Sequence, residues 1–77
     1  ETELPTVEEL SFFIGSRCRE FGIQYDDIRT LVRLAECCLD CRMVSECIAV
    51  LAAVALRSGE LTRKFVDRYS YNRRNLL

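Results

Sequence analysis

Apolar residues recur at steps of three and four along most of this chain. Val7, Leu10, Phe13, Ile14, Cys18 and Phe21 fall on one stripe of a helix, while Glu8, Ser11, Arg17, Arg19 and Glu20 fall on a wet face. Thr6-Val7-Glu8-Glu9, with Pro5 just outside, reads as a capping box that starts this first helix. Gly22 is positioned to stop it in a left-handed cap. Tyr25-Asp26-Asp27 opens a second helix, with Asp26 as the expected N-cap and both acids at the positive end of the helix dipole. Ile28, Leu31, Val32, Leu34, Ala35, Cys38 and Leu39 give it a wide apolar face opposite Arg29, Arg33, Glu36 and Asp40.

After a junction near Cys41-Arg42-Met43 comes a run from Cys47 to Leu56 with no polar residue. Ten residues are too few to span a bilayer, and the run is too rich in alanine to favour a strand. It predicts a third helix covered on every side, with Ala49, Ala52, Ala53 and Ala55 permitting close approach of its neighbours. Ser58-Gly59 ends it. Leu61, Phe65, Val66 and Tyr69 mark a fourth helix whose Arg63, Lys64, Asp67 and Arg68 face out, and the period fades over residues 70–77. There is no strand signal, internal repeat or low-complexity stretch.

These patterns predict an all-α fold: a compact four-helix array of helical-hairpin or orthogonal-bundle type, repeat-like, with helices near 6–21, 26–40, 43–57 and 60–72. The third helix is expected at its centre. At 77 residues and 8.9 kDa the chain is one domain, with a lead over residues 1–5 and a tail over residues 73–77. Its start at Glu1 is what a segment excised from a longer protein gives. A chain this short buries only about 60% of its unfolded surface, yet 49% of its residues are apolar, so some apolar surface is expected to remain for a partner or a second copy.

The residue inventory argues against catalysis. There is no His and no Trp, so a nucleophile paired with an imidazole base is excluded, and no glycine-rich phosphate loop exists. The adjacent acids Glu8-Glu9 and Asp26-Asp27 sit in first turns of helices, where capping accounts for them. Cys37-Cys38-Leu39-Asp40-Cys41 contains a CxxC, but Cys37 and Cys41 share a helical face that Cys38 does not. A structural zinc would have to recruit Cys47 and Cys18, and thioredoxin-type chemistry places its motif at a helix start after a strand. Five cysteines, four of them within residues 37–47, read as reduced, packed thiols of a reducing compartment, nucleus or cytoplasm. No catalytic residue, metal, cofactor, small-molecule substrate or membrane is expected.

The net charge of −1 conceals a gradient. Residues 1–27 carry seven acids against Arg17 and Arg19, and residues 57–77 carry six bases against Glu60 and Asp67. The two ends are expected to pair, within one bundle or head to tail between two copies, or the basic end serves as a contact surface. Candidate partner-binding residues are Phe12, which lies opposite the main stripe of the first helix, and Arg68, Tyr69, Tyr71, Arg73, Arg74, Leu76 and Leu77 at the basic end. Phe12 is the strongest of them, because it adjoins Phe13 on a helix that needs only one phenylalanine for the core.

Residues 28–59 resemble a helix-turn-helix unit of tetratricopeptide type, carried by Leu31, Leu34, Ala35 and Cys38 on one helix and Val44, Cys47, Leu51 and Val54 on the next. Val54 stands where that pattern has Ala, and Gly59 where it often has Pro. Armadillo- and HEAT-like units share the likeness, which implies a scaffold built from stacked helix pairs. The function expected is non-catalytic: an interaction and assembly module of a larger intracellular protein, docking a partner helix or self-associating through apolar surface. The alternative is a small helical nucleic-acid-binding module using Arg63, Lys64, Arg68, Arg73 and Arg74, although a pI near 5.4 opposes general attraction to a polyanion.

Overall fold

The structure, a computed structural model, describes residues 4–40 and 44–76, with side chains described as far as Arg73. Four helices pack compactly: α1 (Val7–Phe21), α2 (Ile28–Asp40), α3 (Glu46–Arg57) and α4 (Arg63–Leu76). Between them lie two short strands, β1 (Gln24–Tyr25) and β2 (Glu60–Leu61), paired in parallel with Gln24 beside Glu60 and Tyr25 beside Leu61. The all-α reading of the sequence holds. Cys41, Arg42 and Met43, where the second junction was expected, lie outside the described residues, as does Leu77.

Local chemistry explains where each helix starts and stops. The Glu9 amide donates to the Thr6 hydroxyl at 3.1 Å and the Thr6 amide donates to Glu9 at 3.0 Å, so the capping box is formed. At the other end of α1, Gly22 adopts φ 73° and the Ile23 amide donates to the Cys18 carbonyl, closing the turn left-handed as its glycine predicts. Asp26 departs from expectation. It is Asp27 that caps α2, accepting from the Arg29 amide at 3.0 Å, while Asp26 reaches across to accept from the Arg63 amide at the start of α4. The Thr62 hydroxyl, accepting from the Phe65 amide, completes that second cap.

The strands went unseen in the sequence because neither alternates in polarity over its two residues. They are a backbone clasp. The loop after α1 lies against the loop after α3, joined by the Gln24 amide donating to the Gly59 carbonyl and by the Asp26 bond to Arg63. Leu61, expected on the fourth helix, is fully buried from β2, and α4 begins two residues later and extends through the tail to Leu76.

Leu10, Ile14, Cys18, Leu31, Leu34, Cys38, Cys47, Leu51, Val54, Leu61 and Val66 make one continuous core. Several edges differ from the periodic reading. Ser11, assigned to the wet face of α1, is buried, and its hydroxyl is satisfied by donating to the Val7 carbonyl at 2.7 Å. Ile28, assigned to the apolar face of α2, is 66% exposed in the first turn, whereas Thr30 is fully buried with its hydroxyl donating to Asp26 at 2.6 Å. The largest difference concerns α3, which packs on α1, α2 and β2 through Cys47, Val50, Leu51 and Val54. Its other side is open. Ala49 and Ala53 are exposed and Leu56 is 88% exposed, so the helix is covered on one face and not all round.

Candidate functional site

The open side of α3 faces α4 across a groove of about 760 Å³. Its α3 wall is formed by Ala49, Val50, Ala53 and Val54, and its α4 wall by Phe65 and Tyr69, whose rings stack with centroids 6.5 Å apart. The legs are joined at one end by the turn from Ser58 to Thr62. At the other end Glu46, in the first turn of α3, accepts a hydrogen bond from the Tyr69 hydroxyl and pairs with Arg73 Nε at 3.3 Å. That clamp joins the two helices at one end and the turn joins them at the other, so the groove lies between two ties. Burial, reinforced by the bond to Glu46, holds the Tyr69 hydroxyl protonated far above the ordinary tyrosine range.

The rims are cationic. Arg57 and Arg68 both line the groove, both are exposed, and neither makes an ion pair among the described residues. Elsewhere Arg17 pairs with Glu20, Arg29 with Asp27 and Arg33 with Asp67, at 2.5, 3.3 and 3.0 Å. None of these pairs joins the acidic first third to the basic last third, so no ion pair between the two ends is seen among the described residues. A smaller hollow of about 390 Å³ between α1, α2 and α4 is crossed by the Arg33–Asp67 pair and lined largely by polar groups.

The residues singled out in the sequence are distributed as follows. Arg68 and Tyr69 line the groove. Arg73 belongs to the clamp at its end, Tyr71 is exposed on the outer side of α4, and Arg74 and Leu76 continue that helix. Phe12 stands apart on the outer face of α1, 76% exposed, and lines neither hollow. Of the basic residues considered for nucleic acid, Arg63, Lys64 and Arg68 are exposed, but Arg73 is turned inward onto Glu46 and Asp67 interrupts the outer face. Ala49, Ala53 and Arg57 were missed as site residues. The signal that finds them is the four-residue step from Ala49 to Ala53 to Arg57 on a helix with too few neighbours to cover it.

The acids and thiols are occupied structurally. Asp26 is held below the ordinary aspartate value first by the Thr30 hydroxyl and then by the Arg63 amide, and Asp27 by the Arg29 amide and guanidinium. Cys18, Cys37, Cys38 and Cys47 are free thiols in the interior. A hydrogen bond shared with Cys47, together with burial, pushes the Cys38 thiol up, and burial alone raises that of Cys18. Among the described residues no three Cys, Asp or Glu side chains gather as metal ligands, and no helix is long and apolar enough to cross a membrane.

What fold and groove together define is an all-helical bundle that presents a cationic-rimmed, apolar interhelical cleft. No protein-family model, curated protein or solved structure matches the chain. The likeness to tetratricopeptide units gains nothing from the packing either, since α2 packs chiefly on α1 and α4 and only lightly on α3, its supposed partner in the repeat.

Proposed function

We propose that this chain is a non-catalytic protein-interaction module whose α3–α4 groove receives one face of an acidic amphipathic helix. The observation that carries the reading is the combination of an apolar floor with two rim arginines that make no ion pair among the described residues, in a cleft tied at one end by the Glu46 clamp. An entering helix would bury leucine- or phenylalanine-sized anchors against Ala49, Val50, Ala53 and Phe65, and its carboxylates would meet Arg57 and Arg68. Small residues on the floor favour close approach of a second backbone. Interior free thiols fit service in a reducing compartment such as nucleus or cytoplasm.

The test is a titration of the isotope-labelled chain with a synthetic peptide that carries leucines at helical spacing and glutamates between them. Amide shifts are expected to concentrate at Ala49, Ala53, Phe65 and Arg68, and Ala53→Glu is expected to weaken binding by at least about tenfold, or about 1.4 kcal/mol. Affinity is expected to fall only modestly from about 50 to about 200 mM salt, since apolar burial dominates. A single-stranded oligonucleotide is the control. Tight oligonucleotide binding that collapses steeply over the same salt range, with shifts at Lys64, Arg68 and Tyr71 and none from the peptide, would replace this reading by the nucleic-acid one.

A further inference from the structure

Among the described residues, two open surfaces, the groove and the outer face of α1 around Phe12, match each other. On α1, Glu8, Phe12, Ser16 and Arg19 follow one another at steps of four, four and three along the outward side. On α3, read from its C-terminal end, Arg57, Ala53, Ala49 and Glu46 follow at the same steps along the wall of the groove. Both runs cover about 16 Å of helix axis. Laid antiparallel, they place Glu8 opposite Arg57, Phe12 opposite Ala53, Ser16 opposite Ala49 and Arg19 opposite Glu46.

Three of the four juxtapositions favour the contact, and at the fourth Arg19 approaches a Glu46 already held by Tyr69 and Arg73. Glu8 and Arg57 are exposed and make no ion pair among the described residues, so their contact costs no ion pair seen there. Phe12 is the most exposed aromatic residue and Ala53 an exposed small residue on the groove wall, so the ring meets only a methyl group there. Ser16 on Ala49 keeps the second contact small, which lets the axes approach. The antiparallel arrangement also opposes the two helix dipoles.

We infer that the occupant of the groove is a second copy of this chain, which docks the Glu8–Phe12–Ser16–Arg19 face of its α1 antiparallel to α3. This inference rests on the proposed docking role of the groove and names its partner. The contact is heterologous: each copy offers one knob and one groove, so association either closes on itself or propagates head to tail.

A heterologous contact has a distinctive test. Sedimentation of the 77-residue chain across concentration is expected to show a mass rising above 8.9 kDa. Phe12→Glu removes the knob and leaves the groove, whereas Ala53→Glu blocks the groove and leaves the knob. Each variant alone is expected to stay monomeric, with association weakened at least about tenfold and helical circular dichroism unchanged, since both positions are exposed. Mixed one to one, they are expected to form a dimer and stop there, because the intact Phe12 of one meets the intact groove of the other.

Charge reversal supplies a second arm that leaves the apolar contact alone: Glu8→Arg and Arg57→Glu each weaken association, and combined in one chain they restore it. A wild-type chain that remains at 8.9 kDa, or a mixture of folded variants that yields no dimer, overturns the inference. If the groove of that monomeric chain still binds the leucine–glutamate peptide, the docking role stands and the partner is another protein. If it binds neither, both readings fail.

Discussion

At the scale of single residues, Asp26 carries the most consequence for its size. One carboxylate oxygen takes the Thr30 hydroxyl of α2 and the other takes the Arg63 amide of α4, so a single side chain ties the start of one helix to the start of another. Both bonds favour the ionised form, and its folded-state pKa lies below the ordinary 3.8. The stability it contributes is therefore fully present above that ordinary value and disappears as pH falls through the lower folded value. Asp27 behaves likewise through Arg29. Denaturant midpoints measured from pH 6 down to 2 are expected to fall less steeply in Asp26→Asn than in the wild type; identical slopes would show that the tie contributes nothing. The Thr6–Glu9 box was legible in the sequence because both partners lie within three residues. Asp26 was placed on the wrong helix because its partner amide is 37 residues away, a distance at which an Asp-Asp pair gives no sign of which acid serves which helix.

At the scale of elements, all four helices were legible from period and punctuation, with boundaries displaced by a few residues at several ends. The strands were not, since two residues held by backbone hydrogen bonds leave no side-chain pattern. The third helix shows why composition misleads in a small domain. An unbroken apolar run implies full burial only where enough neighbours exist, and here the alanines face a cleft. The turn that forms the closed end of that cleft depends on Gly59, at φ 73°, where an added Cβ meets no atom within 4 Å. Only backbone strain opposes substitution there. Gly59→Ala is expected to lower stability by about 1–2 kcal/mol, while D-alanine introduced by chemical synthesis, which prefers that conformation, is expected to raise the melting temperature above that of glycine. Equal melting of the two alanine forms would remove the left-handed turn from the account.

At the scale of the whole molecule, the charge gradient along the chain was plain from the sequence, but its use was not. Among the described residues the acids of α1 and the bases around the groove sit on separate surfaces of one bundle, an arrangement the proposed contact between copies uses. The sequence assigns Phe13 to the core and Phe12 to the surface, but both rings are exposed, and the cleft depends on the angle between α3 and α4, which no local pattern encodes. The clasp between the two loops carries a consequence in time. The α1–α2 pair can form from near neighbours, but packing α4 on α2 and registering Gln24 on Glu60 and Asp26 on Arg63 each close a chain of about thirty residues or more, an entropic step that local contacts do not repay until it is complete. The clasp is expected to form after the folding barrier and to act as a latch on the way back. Loosening it with Asp26→Asn at neutral pH is expected to speed unfolding in stopped-flow traces while leaving the refolding rate nearly unchanged, and a slowed refolding limb would instead put the loops in the nucleus. Because the latch fixes the start of α4 and the Glu46 clamp fixes it farther along, releasing either tie is expected to let the wall of the cleft swing while the other still holds.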